Sequence, residues 1–255
     1  MSKFKLPKFS FALVAVILTV GTILRLFKIN RALGGHDENA MLLYFGYAPL
    51  EYITTTYFDA NNHVFHTILV HLMTFWFGED NAVAIRFPTL LFGVAGLGVI
   101  YVLALKLFQS QFVAILSLWI AAIHPVHIHY SQTARGYSLI MFFSALMIYA
   151  AIKILESENF LKWSGVFIVC GVLSVYTLPT NVYFLAGLAG WIVYIALSTK
   201  VAGEFNPDPK YPRRVLILIA SLGGAIGMLS LLVYFPMLGQ LAKTAQNHPL
   251  LTWDA

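Results

Sequence analysis

Apolar residues in this chain come in runs of about 15 to 26, separated by short polar stretches. A helix needs about 20 residues to cross a hydrocarbon core of about 30 Å. In lipid every backbone N–H and C=O must find its partner within the protein, which leaves helices and closed barrels as the only spanning structures. Barrel strands would show polar and apolar residues alternating over about ten positions, and no such pattern is present. The expected fold class is therefore all-α, a polytopic transmembrane helix bundle. Composition agrees. Lys plus Arg number 16 and Asp plus Glu number 11 in 255 residues, or 11% charged, where soluble domains carry about 25%. A water-soluble globule is excluded. The single cysteine, Cys170, lies inside a span, so no disulfide or thiolate metal site is available.

About seven spans are expected, near Phe9–Phe27, Ala82–Leu107, Phe112–Ile128, Tyr137–Leu155, Trp163–Leu178, Val182–Leu197 and Val215–Leu238. The first follows Lys3, Lys5 and Lys8 without a small-residue cleavage site, so it reads as an anchor. A shorter run, Val64–Phe77, places His63, His66, Thr67, His71 and Thr74 on one arc of a helical wheel, with Val70 among them and the aromatics opposite. That is the pattern of an amphipathic helix lying in the membrane interface. Charge gives a check, because cytoplasmic loops are rich in Lys and Arg. With seven spans and an inner amino terminus, ten of the sixteen basic residues fall inside, against four of the eleven acids. The positive net charge is thus a matter of topology rather than a nucleic-acid footprint. Arg25, Lys28 and Arg31 are the exceptions that balance the leading lysines across the first span. The multi-pass chain is placed in the plasma (inner) membrane, with a first external loop near 30–81 and a second near 124–136. Residues 1–255 read as a single module, one that lacks further carboxy-terminal spans or a soluble domain.

Four polar constellations interrupt this apolar sequence. In GGHDEN, His36, Asp37 and Glu38 follow the first span. Asp37 reads either as a helix cap or as a general base held at the membrane surface, and the two roles are compatible. In FDANNHVFH, Asn61, Asn62, His63 and His66 converge just before the short helix. Histidines there suit phosphate binding, proton transfer or metal ligation, or form a solvated polar face. In AVAIRFP, Arg86 opens a long apolar span and either snorkels to the headgroups or binds an anion. A planar guanidinium suits phosphate better than an ammonium does. The densest is HPVHIHYSQTARGYSL, where Tyr130, Gln132, Arg135 and Tyr137 join three histidines in one turn. Gln132 and Arg135 would share a helical face if the next helix began near Ser131. His124, His127 and His129 are weak metal candidates, because their spacing in a turn fixes no geometry. Lys243, in the outer tail, reads as solvated surface.

Together, HDEN after the first span, IRFP opening the second and HYSQTARGYSL after the third resemble the GT-C glycosyltransferases. The bacterial branch akin to protein O-mannosyltransferases and lipid A aminoarabinose transferases is the nearest in pattern. The resemblance runs over nearly the whole chain. It implies an enzyme that moves a sugar from a polyprenyl-phosphate carrier to a glycan, lipid or protein acceptor on the extracytoplasmic face. It also implies juxtamembrane helices in the first external loop. By carry-over, Asp37 is the catalytic acid position with Glu38 its neighbour, and Arg86 and Arg135 bind the donor phosphate. His36, Asn62, His63, His66, Tyr130, Gln132 and Tyr137 are the substrate-binding candidates. Some members use a metal and carry acids in the second loop, whereas this chain has histidines there, so a divalent metal is left open and no cofactor is assigned.

Two rivals from other classes stand beside the enzyme: a transporter or flippase of a lipid-linked sugar, and an inactive assembly subunit. No inverted repeat with paired broken helices supports the transporter. Convergence of Asp37, Arg86 and Arg135 on one outward cavity within about 10 Å would favour the enzyme, because catalytic groups must reach one reacting centre.

Overall fold

The computed structural model describes residues 8–156, 159–198 and 211–246. The leading lysines Lys3 and Lys5, the basic stretch from Lys200 to Lys210 and the terminal Asp254 and Ala255 lie outside the described residues. All regular structure among the described residues is helical. Helix α1 (Lys8–Leu26) leads into a polar loop carrying three short helices. These are α2 (His36–Met41), which widens into a π turn at Leu42–Gly46, then α3 (Leu50–Thr55) and α4 (Val64–Phe77). Next come α5 (Ala82–Phe108), α6 (Gln111–Ile123), α7 (Pro125–Ser131), α8 (Tyr137–Leu155) and α9 (Phe160–Thr177). A 3₁₀ turn at Pro179–Asn181 connects to α10 (Val182–Leu197). Helix α11 (Tyr211–Tyr234) and the short α12 (Leu238–Gln246) complete the described chain.

Among the described residues five helices are long and apolar enough to cross a membrane, or six if the bent pair α6–α7 counts as one span. Of the other expected spans, α1 carries a shorter described apolar stretch, Phe11–Leu26, and Phe112–Ile128 is broken into α6 and α7. Helix α4, at 14 residues and about 21 Å, is too short to cross. The protein is a multi-pass membrane helix bundle. Helices α8, α9, α10 and α11 share a core built on Leu139, Phe143, Met147, Ile154, Phe167 and Ile192. A second core joins α1, α5 and α6 through Ile17, Leu97, Leu118 and Ala122. Outward-facing side chains such as Leu161, Val169, Leu231 and Leu232 are exposed apolar groups, as lipid-facing helices require.

The break between α6 and α7 is a 61° bend, begun by Pro125 and held open by a side chain of α1. Pro125 has no N–H to continue the ladder, which strands carbonyls at the end of α6. Arg25 reaches over from α1 to satisfy them. Its Nη1 donates to Ala122 O (2.9 Å) and Gly21 O (2.7 Å), and its Nη2 donates to Ala121 O (3.1 Å) and to His127 Nδ1 (2.9 Å). Its Nε donates to Ser131 Oγ (3.3 Å). All five donors are used and the side chain is wholly buried. Because arginine can only donate, His127 is held as the Nε2–H tautomer. Gly93 of α5 lies against Ser131, and a Cβ there would overlap the serine side chain, so α7 sits directly on α5.

Lys106 at the end of α5 and Glu156 at the end of α8 form an ion pair of 2.6 Å. Arg86 and Tyr137 lie at the opposite ends of the same two helices. The polar loops therefore gather at the far end of the bundle from this pair.

Replacing Arg25 by Met should leave buried carbonyls of α6 unpaired, at about 1–3 kcal/mol for each orphaned group. A fall in melting temperature of roughly 6–12 °C is expected, measured by thermal unfolding of the purified protein in detergent.

Candidate active site

A glycine turn starts the site. Gly35 has φ 96°, a left-handed conformation open to glycine, and it releases the chain into α2. Glu38, in the first turn of α2, folds back so that Oε2 accepts from the Gly34 N–H (3.2 Å). Its carboxylate is then enclosed. Arg86 Nε donates to Oε1 (3.0 Å), Arg86 Nη2 donates to Oε2 (2.9 Å), and the Ala134 N–H of the second loop donates to Oε1 (2.8 Å). The remaining Arg86 donors go to the carbonyls of Ile29 (2.8 Å), Arg31 (2.7 Å) and Ala32 (3.3 Å).

This corrects two expectations. Arg86 neither snorkels nor faces a lipid phosphate, because it is wholly buried with all five donors committed. Glu38, at 2% exposure, joins two loops and offers no free face for a reacting group. Burial pushes the Glu38 carboxyl upward, but the Arg86 hydrogen bonds, the Ala134 and Gly34 amides and the Arg86 charge outweigh it and hold the group below the usual carboxylate range.

Asp37 points the other way. It is exposed, and its Oδ2 forms a 2.8 Å ion pair with Arg135 Nη1. The same nitrogen donates to Asn61 Oδ1 (2.7 Å), while Nη2 donates to the Tyr137 hydroxyl (3.2 Å). The guanidinium lies 5.4 Å from the Tyr137 ring centroid, and that ring packs on Tyr130 at 4.5 Å. Arg135 is thus 6% exposed and fixed from several sides. Its turn depends on Gly136. The Gly136 N–H donates to His63 Nδ1 (2.7 Å), and a Cβ at Gly136 would overlap Thr177 of α9.

Helix α8 begins at Tyr137, not near Ser131, so Gln132 and Arg135 share no helical face. The Gln132 amide is used on α1, where Nε2 lies within hydrogen-bonding distance of the carbonyls of Leu24 (3.1 Å), Arg25 (3.0 Å) and Phe27 (2.8 Å). It acts as a cap for a helix end, since the last carbonyls of a helix have no partner within it.

The polar arc of α4 is not a solvated face. His63, His66, Thr67 and Thr74 are buried, while Leu72, Phe75, Trp76 and Phe77 on other faces are exposed. Asn62 donates to the carbonyls of Ile53 (3.4 Å) and Thr56 (2.9 Å). Neither ring nitrogen of His66 has a partner. Burial, followed by repulsion from Arg135, pushes His63 well below its ordinary value and His66 down to about 3. Asn62, His63 and His66 therefore support the site from behind and do not line it.

A cavity of about 1020 Å³ opens in front. Its wall includes Arg31, His36 and Asp37 from the first loop, and His129, Tyr130, Gln132, Arg135 and Tyr137 from the second. Arg31 was not legible as a site residue. Its one signal was a basic group on the side where topology does not call for it. A metal finds no fit in the second loop, because the Nδ1 of His127 is taken by Arg25. Among the described residues no three His, Cys, Asp or Glu side chains are grouped to hold an ion, and His124 and His129 do not change this.

Residues 64–222, more than half of the chain, match the family described as dolichyl-phosphate-mannose-protein mannosyltransferase. The chain belongs to this family. No curated protein and no solved structure matches it. As a member of the mannosyltransferase family, the protein is a membrane glycosyltransferase that uses polyprenyl-phosphate-linked sugar donors. The matched segment holds Arg86 and the whole second loop, while the acidic turn at Asp37 precedes it.

The two carboxylates should separate by experiment. Glu38→Ala leaves the Arg86 charge buried and unpaired, at about 3–5 kcal/mol, whereas Asp37→Asn at an exposed position should change stability by less than about 1 kcal/mol. Paired thermal melts of the two variants test this. Acid should act through the histidines. His63 and His66 are neutral in the folded protein, so their contribution is intact above the ordinary histidine value of about 6.5 and is lost as pH falls below it. Melting temperature should therefore decline from about pH 6.5 downward, and less steeply in His66→Leu.

Proposed function

We propose that Asp37 is the general base of the transfer and Arg135 the group that receives the charge of the departing carrier phosphate. The observation that carries this reading is their ion pair on the wall of one cavity. A base and an electrostatic stabiliser must reach one reacting centre, and no other carboxylate on that wall is free, because Glu38 is committed to Arg86.

The step is a single displacement at the anomeric carbon. Asp37 takes the proton of an acceptor hydroxyl as its oxygen bonds to that carbon. The bond to the phosphate oxygen breaks, with its electron pair leaving on the polyprenyl phosphate. A charge-assisted hydrogen bond from a preorganised guanidinium stabilises that developing charge more strongly than mobile water would. His36, Tyr130 and Tyr137 lie on the same wall and suit contacts to the sugar. The cavity is at the end of the bundle remote from the Lys106–Glu156 pair, which charge bias places on the cytoplasmic side. The acceptor, a glycan, lipid or protein, is accordingly met on the extracytoplasmic face. A flippase of the same lipid would bind through the same arginine but would not need a carboxylate paired to it.

Asp37→Asn should lower sugar transfer by 10²- to 10⁴-fold, the usual contribution of a general base, with little change in melting temperature. The measurement is release of polyprenyl phosphate from a panel of labelled polyprenyl-phosphate sugars. Transfer within threefold of wild type would remove Asp37 from this role.

A further inference from the structure

The cavity wall carries an imbalance of charge. Glu38 is neutralised by Arg86, and Asp37 by Arg135. Arg31 lines the same cavity, and no carboxylate among the described residues forms an ion pair with it. Its guanidinium is held only by neutral acceptors: Nη2 donates to the Gln132 carbonyl (3.0 Å), and Nη1 makes a long contact to Gln132 Oε1 (3.4 Å). It is also partly desolvated, and burial together with the Arg86 charge pushes its pKa down. A cation in this position gains from an anionic ligand.

We propose that Arg31 is the resting anchor for the donor phosphate, and that Arg135 becomes the second cation of that phosphate only as the reaction proceeds. This rests on Asp37 being the base. The charges then balance at each stage. Before transfer, the donor phosphodiester carries one negative charge and Asp37 another, facing Arg31 and Arg135. In the step, the acceptor proton moves to Asp37, a new bond forms between the acceptor oxygen and the anomeric carbon, and the carbon–phosphate oxygen bond breaks. Asp37 is now neutral and the phosphate monoester carries two negative charges. Arg135 loses its carboxylate partner at the moment the phosphate gains charge, so the guanidinium passes from one to the other. The site stays neutral throughout, which matters where charge is poorly solvated.

The test is a binding titration on the full-length protein in detergent with farnesyl phosphate, farnesol and inorganic phosphate. Farnesyl phosphate should bind at least tenfold more tightly than either of the others. Arg31→Gln should weaken farnesyl phosphate at least tenfold and leave farnesol unchanged, while Arg31→Lys should lose less than threefold. Ala32→Glu, an added acid at an exposed position on the same wall, should reproduce the loss without removing any Arg31 contact. Asp37→Asn, which imitates the protonated base, should bind farnesyl phosphate at least threefold more tightly than wild type while transfer collapses. Wild-type affinity in both Arg31→Gln and Ala32→Glu would overturn the anchor, and so would equal binding of farnesol or of inorganic phosphate. Unchanged affinity in Asp37→Asn would overturn the handover. Full transfer by Asp37→Asn, with the Arg31 dependence intact, would instead defeat the assignment of the base.

Discussion

The buried Glu38–Arg86 pair is the interaction on which the outer end of this protein depends. Two loops nearly a hundred residues apart meet at one carboxylate, which accepts from Gly34 in the turn before α2, from the second loop at Ala134 and from α5. Both ions are removed from solvent, an arrangement that is costly unless every remaining donor and acceptor is satisfied. Here Arg86 completes its set with three carbonyls of the stretch before α2. The adjacent Asp37 is thereby placed over the cavity. Neighbouring carboxylates of similar chemistry thus have different fates, decided by which side of α2 each leaves.

Membrane helices gain little from apolar burial against lipid, so packing and internal hydrogen bonds carry more of their association. That explains the reciprocal staple at the top of the bundle. Arg25 of α1 satisfies the broken end of α6, and Gln132 from beyond α7 satisfies the end of α1. Each covers groups that a bend or a terminus has exposed, and together they hold the second loop in register with the first.

The apolar runs, the helical class and the polar constellations were legible in the sequence, because a hydrocarbon core imposes length and composition directly. Direction was not. The polar arc of α4 reads the same whether it faces water or the protein interior, and the buried His63 and His66 decide for the interior only through partners such as Gly136 on the second loop. The role of Arg86 was misread for a similar reason. A lone cation at the head of a span looks available until its counter-ion, 48 positions earlier, is brought to it. The bend after Ile123 was hidden too, since Arg25, which stabilises it, lies about a hundred residues upstream. Arg31 could be noticed as a charge but not as a site residue, because only the structure shows which acids its neighbours have already taken.

The close approach at Gly136 has a mechanical meaning. With room for a hydrogen atom and nothing larger, this turn is clamped between α4 and α9, so Arg135 and Tyr137 ride on the bundle as a fixed anvil. The opposite wall, from the Gly34–Gly35 turn to Asp37, is exposed along its outer side and is tied down at two points, by Glu38 to Arg86 and by Asp37 to Arg135. A larger residue at position 136 would therefore displace the cation and the aromatic ring of the site together, since both are carried by the one turn.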